Sequence, residues 1–152
     1  MALRGSSVKR REDAPLLRGD GTFVADLEFD NPAYVHYLTS TTAHAKIRSI
    51  NSSVAIRMPG VLDIITNSDL DIGPYPSANP LFDEAMVRPL LADQRVRFVG
   101  EPVAAIVAES AAMAADAAEL IEVDYESLDV VVDVETALDS PVLLFDGTSE
   151  GN

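Results

Sequence analysis

The run RVRFVGEPVAAIVAESAAMAADAAELIEVDYE, from Arg95 to Glu126, sets the tightest limits on what this chain can fold into. Val96 and Phe98 alternate with Arg95 and Arg97, the period of a half-buried strand. Gly100 admits backbone conformations closed to other residues, and Pro102 cannot donate to a ladder, so a bend is expected between them. Val103 to Ala108 is a near-continuous apolar run of strand length, as a strand covered on both faces requires. Ser110 is a good N-cap, and the alanine-rich run to Ile121 favours helix. Glu122, Asp124 and Glu126 then alternate with Val123, Tyr125 and Ser127, which gives one wet face and one packed face. The pattern predicts a compact strand–helix–strand unit with a right-handed connection. It is a scaffold without evident chemistry.

The rest of the chain is organised around that unit. Residues 1–21 read as an extended basic arm, broken by Pro15 and closed by the turn Gly19-Asp20-Gly21. The domain proper is expected over residues 22–140, and residues 141–152 form a tail leading toward a further domain. Short strands are predicted at Thr22–Leu27, Tyr34–Thr39, Ala45–Ile50, Val61–Thr66 and Val130–Val132. Ser52 or Ser53 can cap a short helix over Val54–Met58, which Pro59-Gly60 ends, and a further helical turn is expected near Glu135–Leu138. The segment Asp71–Ala92 carries Pro74, Pro76, Pro80 and Pro89 and reads as a long loop, a place where function or partner contact concentrates. Leu143, Leu144 and Phe145 would be adhesive if left uncovered, which hints that more protein packs there.

Hydrophobic residues make up 47% of the 152, enough for a core and too many for a disordered acidic polymer. No apolar run approaches the about 20 residues that span a bilayer, and the N-terminus lacks the apolar stretch of a secretory signal, so a cytoplasmic location is the default expectation. Cysteine is absent. Disulfides, thiolate metal sites and cysteine nucleophiles are therefore excluded. The net charge is −14 and unevenly spread: all 11 basic residues lie at or before Arg97, whereas 13 carboxylates follow Phe98. That half reads as a solvated face, or else as a docking face for a basic partner or a covering domain. Nucleic acid is disfavoured, because phosphate contacts need clustered cations. The one basic cluster, Lys9-Arg10-Arg11, is followed at once by Glu12 and Asp13.

Candidate chemical groups are few. His36 and His44 are the only histidines, and their spacing fits no closed zinc pattern. The bland reading makes one a packed histidine and the other a loop hydrogen-bonder. No GxSxG or GxxxxGK[ST] is present. Glu101, after Gly100, is either a catalytic carboxylate or a solvated one. Asp116, Glu119 and Glu122 fall at i, i+3 and i+6 of the predicted helix and read as its wet stripe; the calcium-loop pattern is missing. From the residues alone, no catalytic, cofactor-binding or metal-binding residue is assigned.

Three blocks carry a family resemblance. SVKRREDAPLLRGDGTFVADL (Ser7 to Leu27) resembles the N-terminus of the large, molybdenum-binding subunit of carbon monoxide dehydrogenase-type enzymes, which group with xanthine dehydrogenase and aldehyde oxidase. STTAHAKIRSINSSVAIRMPGVLDIITNSDL (Ser40 to Leu70) resembles the family's S-x-x-A-H-A-x-I and P-G-V segments. VRFVGEPVAAIVAES with AADAAELIEVDYESLDVVVD (Val96 to Asp133) resembles a third block, the most specific of the three. The resemblance implies an α+β fold, the α/β hammerhead, with a mixed β-sheet, two main helices and an extended N-terminal arm. It further implies a parent oxidoreductase that acts on a small substrate at a molybdopterin-type molybdenum centre, with iron–sulfur clusters and FAD in partner domains or subunits. The family's cofactor loops and catalytic glutamate belong to later domains, so neither maps onto a residue here.

The expectation is a non-catalytic structural domain of such a large subunit, whose partners are the remaining large-subunit domains and the iron–sulfur and flavin subunits or domains. The alternatives are a stand-alone acidic protein-binding module and, more weakly, a small enzyme using His36 or His44. No nucleic-acid partner and no membrane insertion are expected.

Overall fold

The computed structural model describes residues 10–74, 76 and 84–145. The chain divides between Pro32 and Ala33 into two units.

In the first unit, α1 (Asp13–Arg18) is a short helix, so this stretch of the arm is helical rather than extended. Pro15 falls in its opening turn, where a missing N–H leaves no intrahelical bond unmade. Gly19, at φ +79°, closes it in the left-handed conformation. The strand expected over Thr22–Leu27 is instead a 3-10 turn at Val24–Asp26. Its cause is local: the Asp26 carboxylate accepts the Phe23 N–H at 2.8 Å, and a side chain that satisfies the backbone at short range competes with a ladder.

Among its described residues the second unit holds six strands and one α-helix: β1 (Tyr34–Thr39), β2 (Ala45–Asn51), β3 (Val61–Thr66), β4 (Arg95–Val96), β5 (Pro102–Ala108), α2 (Ala111–Ala118) and β6 (Glu122–Ser127). They form two three-stranded sheets, ordered β1-β5-β3 and β4-β2-β6, with every pair antiparallel. The α+β class holds, and the expected mixed sheet is resolved into two antiparallel ones. The strand–helix–strand unit is also corrected. Strand β5 belongs to one sheet and β6 to the other, so α2 is a passage between sheets and not a crossover within one.

β5 is the centre of the first sheet, buried at nearly every position as its continuous apolar run requires. α2 packs on it through Ala114, Ala117 and Ala118, which stand at i, i+3 and i+4 and let the helix approach closely. Ile106, Ala108, Ala55 and Ile121 complete that core. A second cluster of Ala45, Ala92, Val96 and Val103 lies beside it, and Ile50 and Val123 pack against both. The Ser110 hydroxyl caps α2 by accepting the Met113 N–H at 3.2 Å. The helix ends at Ala118 with Glu119 as its C-cap, earlier than the expected Ile121.

Three further expectations change. The helix expected at Val54–Met58 is a 3-10 turn at Ala55–Arg57, capped by neither serine side chain. Among the described residues, Val130–Val132 pairs with no strand. Before it, the Leu128 N–H bonds the distant His44 carbonyl at 3.0 Å, and after it the Asp133 carboxylate takes the nearby Glu135 N–H at 3.1 Å, so a turn follows where a ladder would have to continue. Near the tail, Leu143, Leu144 and Phe145 are half-buried rather than uncovered. Residues 75, 77–83 and 146–152 of the expected loop and tail lie outside the described residues, as does Lys9 of the basic cluster.

Candidate functional site

The chain passes between the sheets through 40–44 and again through 97–101, and the buried polar side chains among the described residues collect there: Ser40, His44 and Glu101. The backbones of the two passages are locked together. Ser40 N–H donates to the Glu101 carbonyl and Gly100 N–H to the Ser40 carbonyl, both at 2.8 Å. Gly100 stands at φ +92°, the conformation that the sequence reserved for glycine.

Glu101 is only 3% exposed. Its carboxylate accepts the backbone N–H of Arg97, which closes the turn, and faces Arg88 Nη1 at 3.9 Å. Arg88 also lies over the Phe98 ring, 4.9 Å from its centroid. A buried carboxylate persists because such partners offset its desolvation. The solvated reading of Glu101 is thus overturned. Its partners are a backbone amide and a cation, arranged as a brace.

The Ser40 hydroxyl donates to the Thr42 carbonyl at 2.8 Å and accepts the Thr42 N–H at 3.1 Å. Tyr125, on β6, neighbours the same side chain. Burial raises the Tyr125 phenol above its ordinary 10.0; the Ser40 hydroxyl opposes this, and the nearby Glu101 charge adds to it. Sequence reasoning missed Ser40 and Tyr125. The available signal was Ser-x-Thr after a strand, the pattern of a side chain that folds back on its own backbone.

His44 Nδ1 lies 2.6 Å from the Asp129 carbonyl oxygen, so Nδ1 is the protonated nitrogen. Nε2 is buried with no hydrogen-bond partner. His36 sits exposed on β1, an edge strand of the other sheet. The two histidines serve different elements, and no group of three or more His, Cys, Asp or Glu among the described residues could hold a metal ion. Asp116 and Glu119 are exposed on and just after α2, while Glu122 begins β6 opposite Asn51, so the expected helical stripe of three is broken.

Nucleophile–base geometry is not assembled by these groups. Ser40 bonds the Thr42 backbone, and His44 bonds a carbonyl. What the arrangement does is tie two sheets into one body.

Two antiparallel sheets, one packed alanine-rich helix and a polar knot between them define a structural α+β module. Residues 18–129 match the family described as aldehyde oxidase and xanthine dehydrogenase, a/b hammerhead domain, and the chain belongs to it. The nicotine 6-hydroxylase large subunit of Paenarthrobacter nicotinovorans is 42% identical over 132 residues, covering 85% of this chain and 16% of that protein. Quinoline 2-oxidoreductase from Pseudomonas putida 86 superposes with a TM-score of 0.85 at 40% identity, over 97% of this chain and 19% of that one. The Cu,Mo-CO dehydrogenase superposes at 0.81 with 36% identity, over 97% and 19%. This chain spans less than a fifth of the length of these relatives. No helix among the described residues is long and apolar enough to cross a membrane.

Proposed function

We propose that this chain is a non-catalytic structural domain of the large subunit of a molybdopterin-dependent hydroxylase or carbon monoxide dehydrogenase-type oxidoreductase. The observation that carries this reading is the coverage. Nearly the whole chain aligns with a fifth or less of each relative, and its buried polar groups act as braces. In this reading residues 141–152 lead toward a next domain. No residue of the chain touches substrate, and the parent oxidises a small substrate at a molybdenum centre held by later domains. Iron–sulfur clusters and FAD reside in partner domains or subunits, and the assembly works in the cytoplasm. The domain contributes rigid surface against which the cofactor-bearing domains pack.

The test is complementation. A large subunit lacking residues 1–152 should fail to hold molybdenum in a stable complex, and adding this chain in trans should restore metal content and co-elution. A fully loaded, active complex without the segment would overturn the proposal.

A further inference from the structure

We propose that Asp129–Asp139 is a docking ridge, seated on an apolar, basic-rimmed surface of a later domain of the same polypeptide. This inference rests on the large-subunit reading above. The ridge's stretch from Val130 to Val134 has the β-branched composition of a strand yet joins neither sheet. Val130 is 49% exposed, Val132 83%, Val134 86% and Leu138 68%, a run of apolar side chains held in solvent. A single exposed valine is ordinary, whereas four large apolar side chains exposed within nine residues point to an interaction site.

The ridge is fixed at both ends by long-range contacts. At its start the buried His44 ring holds the Asp129 carbonyl at 2.6 Å. Beyond its end Arg97 Nε holds the Leu144 carbonyl at 2.8 Å, and the Arg97 guanidinium covers the Phe145 ring. Midway the Asp133 carboxylate takes both the Glu135 N–H and the Thr136 hydroxyl, at 3.1 and 2.9 Å. A loop prepared in this way loses little conformational freedom on docking.

Charge selects the occupant. Asp129, Asp133, Glu135 and Asp139 flank the valines, and no Lys or Arg occurs after Arg97. The matching surface is therefore apolar with a lysine or arginine rim. A second copy of this chain, at net charge −14, would bring like charges together. The relatives carry most of their length outside the matched part, and a later domain of one polypeptide is present at high effective concentration.

Hydrogen exchange tests this in the intact large subunit beside the isolated chain. Amides over residues 130–138 should exchange at least about tenfold more slowly in the subunit. Carbodiimide should couple Asp133 or Glu135 to a lysine of a later domain. Val132→Arg should leave the melting of the isolated chain unchanged and abolish the protection in the subunit. Equal exchange in both contexts, protection that survives Val132→Arg, or coupling only to a separate subunit or a second copy would each overturn the ridge. Molybdenum content separates the two claims. A loaded subunit with an unprotected ridge refutes the docking alone; a protected ridge in a subunit that never takes up molybdenum supports the docking and refutes the large-subunit reading.

Discussion

Arg97 reaches 47 residues along the chain to Leu144: its Nε donates to the Leu144 carbonyl at 2.8 Å, beside the Phe145 ring whose centroid lies 4.6 Å from the guanidinium. Strand β4 is only two residues long, so this side chain does more than the local ladder to fix the path of the C-terminal segment. Arg97→Ala should lower stability by roughly 1–2 kcal/mol, the sum of a charge-assisted hydrogen bond and a cation–π contact at a half-exposed site. Arg97→Lys should recover less than half of that, because the planar fork is lost. Exchange of the Leu144 and Phe145 amides reads the release directly. Unchanged exchange in Arg97→Ala would show that the clamp is ornamental.

Glu101 and Arg88 form an unequal pair, since the carboxylate is buried and the arginine side chain is 44% exposed. Glu101→Ala strips the part-buried Arg97 N–H of its acceptor and should cost about 1–3 kcal/mol. Arg88→Ala removes a contact at 3.9 Å across a partly wet surface and should cost roughly 1 kcal/mol or less. Urea unfolding of both variants checks the order. A larger loss from Arg88→Ala would mean that the ion pair, and not the turn-closing amide, carries the brace.

Gly60 and Gly100 both stand in the left-handed region, at φ +81° and +92°. Space around a Cβ at Gly100 is open, so Gly100→Ala should cost only the backbone penalty, about 1–2 kcal/mol. At Gly60 a Cβ would also meet Met113 Sδ, the far end of a flexible and partly exposed side chain that must swing aside, so Gly60→Ala should cost slightly more. Adding Met113→Ala should return part of the difference. Equal melting temperatures for the two alanine variants would contradict this.

Much of this was legible before any coordinates. β5 and α2 were readable because a continuous apolar run and a capped alanine helix are local signals. β1, β2, β3 and β6 followed from composition and alternation. The partition into two sheets was not readable, because it depends on which distant strand each segment meets: β5 pairs with β1 and β3, and β6 with β2. Val130–Val132 misled for the same reason, since three valines look like a strand wherever they stand. At the site, Glu101 stood out only as a loop carboxylate. Its partners are Arg88 and the Arg97 amide, and Ser40 neighbours Tyr125, 85 residues on, which no spacing rule connects to it.

Tyr125 gives the fold a pH signature. Its phenol titrates above the ordinary 10.0 in the folded state because burial penalises the phenolate, and the Glu101 charge adds to this against the opposing Ser40 hydroxyl. The folded state therefore holds this proton more tightly than the unfolded chain does. The resulting stability is complete below pH 10.0 and is lost as pH rises through the folded value. Tyr125→Phe should flatten that part of the alkaline decline, and tyrosinate absorbance of the folded protein should show a late-titrating phenol that Tyr125→Phe removes. An identical alkaline slope in the variant would refute the assignment.

The most direct test of the structural-domain account is the cofactor content of this chain alone, purified from a host that synthesises molybdopterin. The account predicts a folded protein with molybdenum and pterin at background and no oxidation of aldehydes, N-heterocycles or carbon monoxide, while the large subunit that contains it carries both. Molybdopterin bound in stoichiometric amount to the 152-residue chain would contradict it.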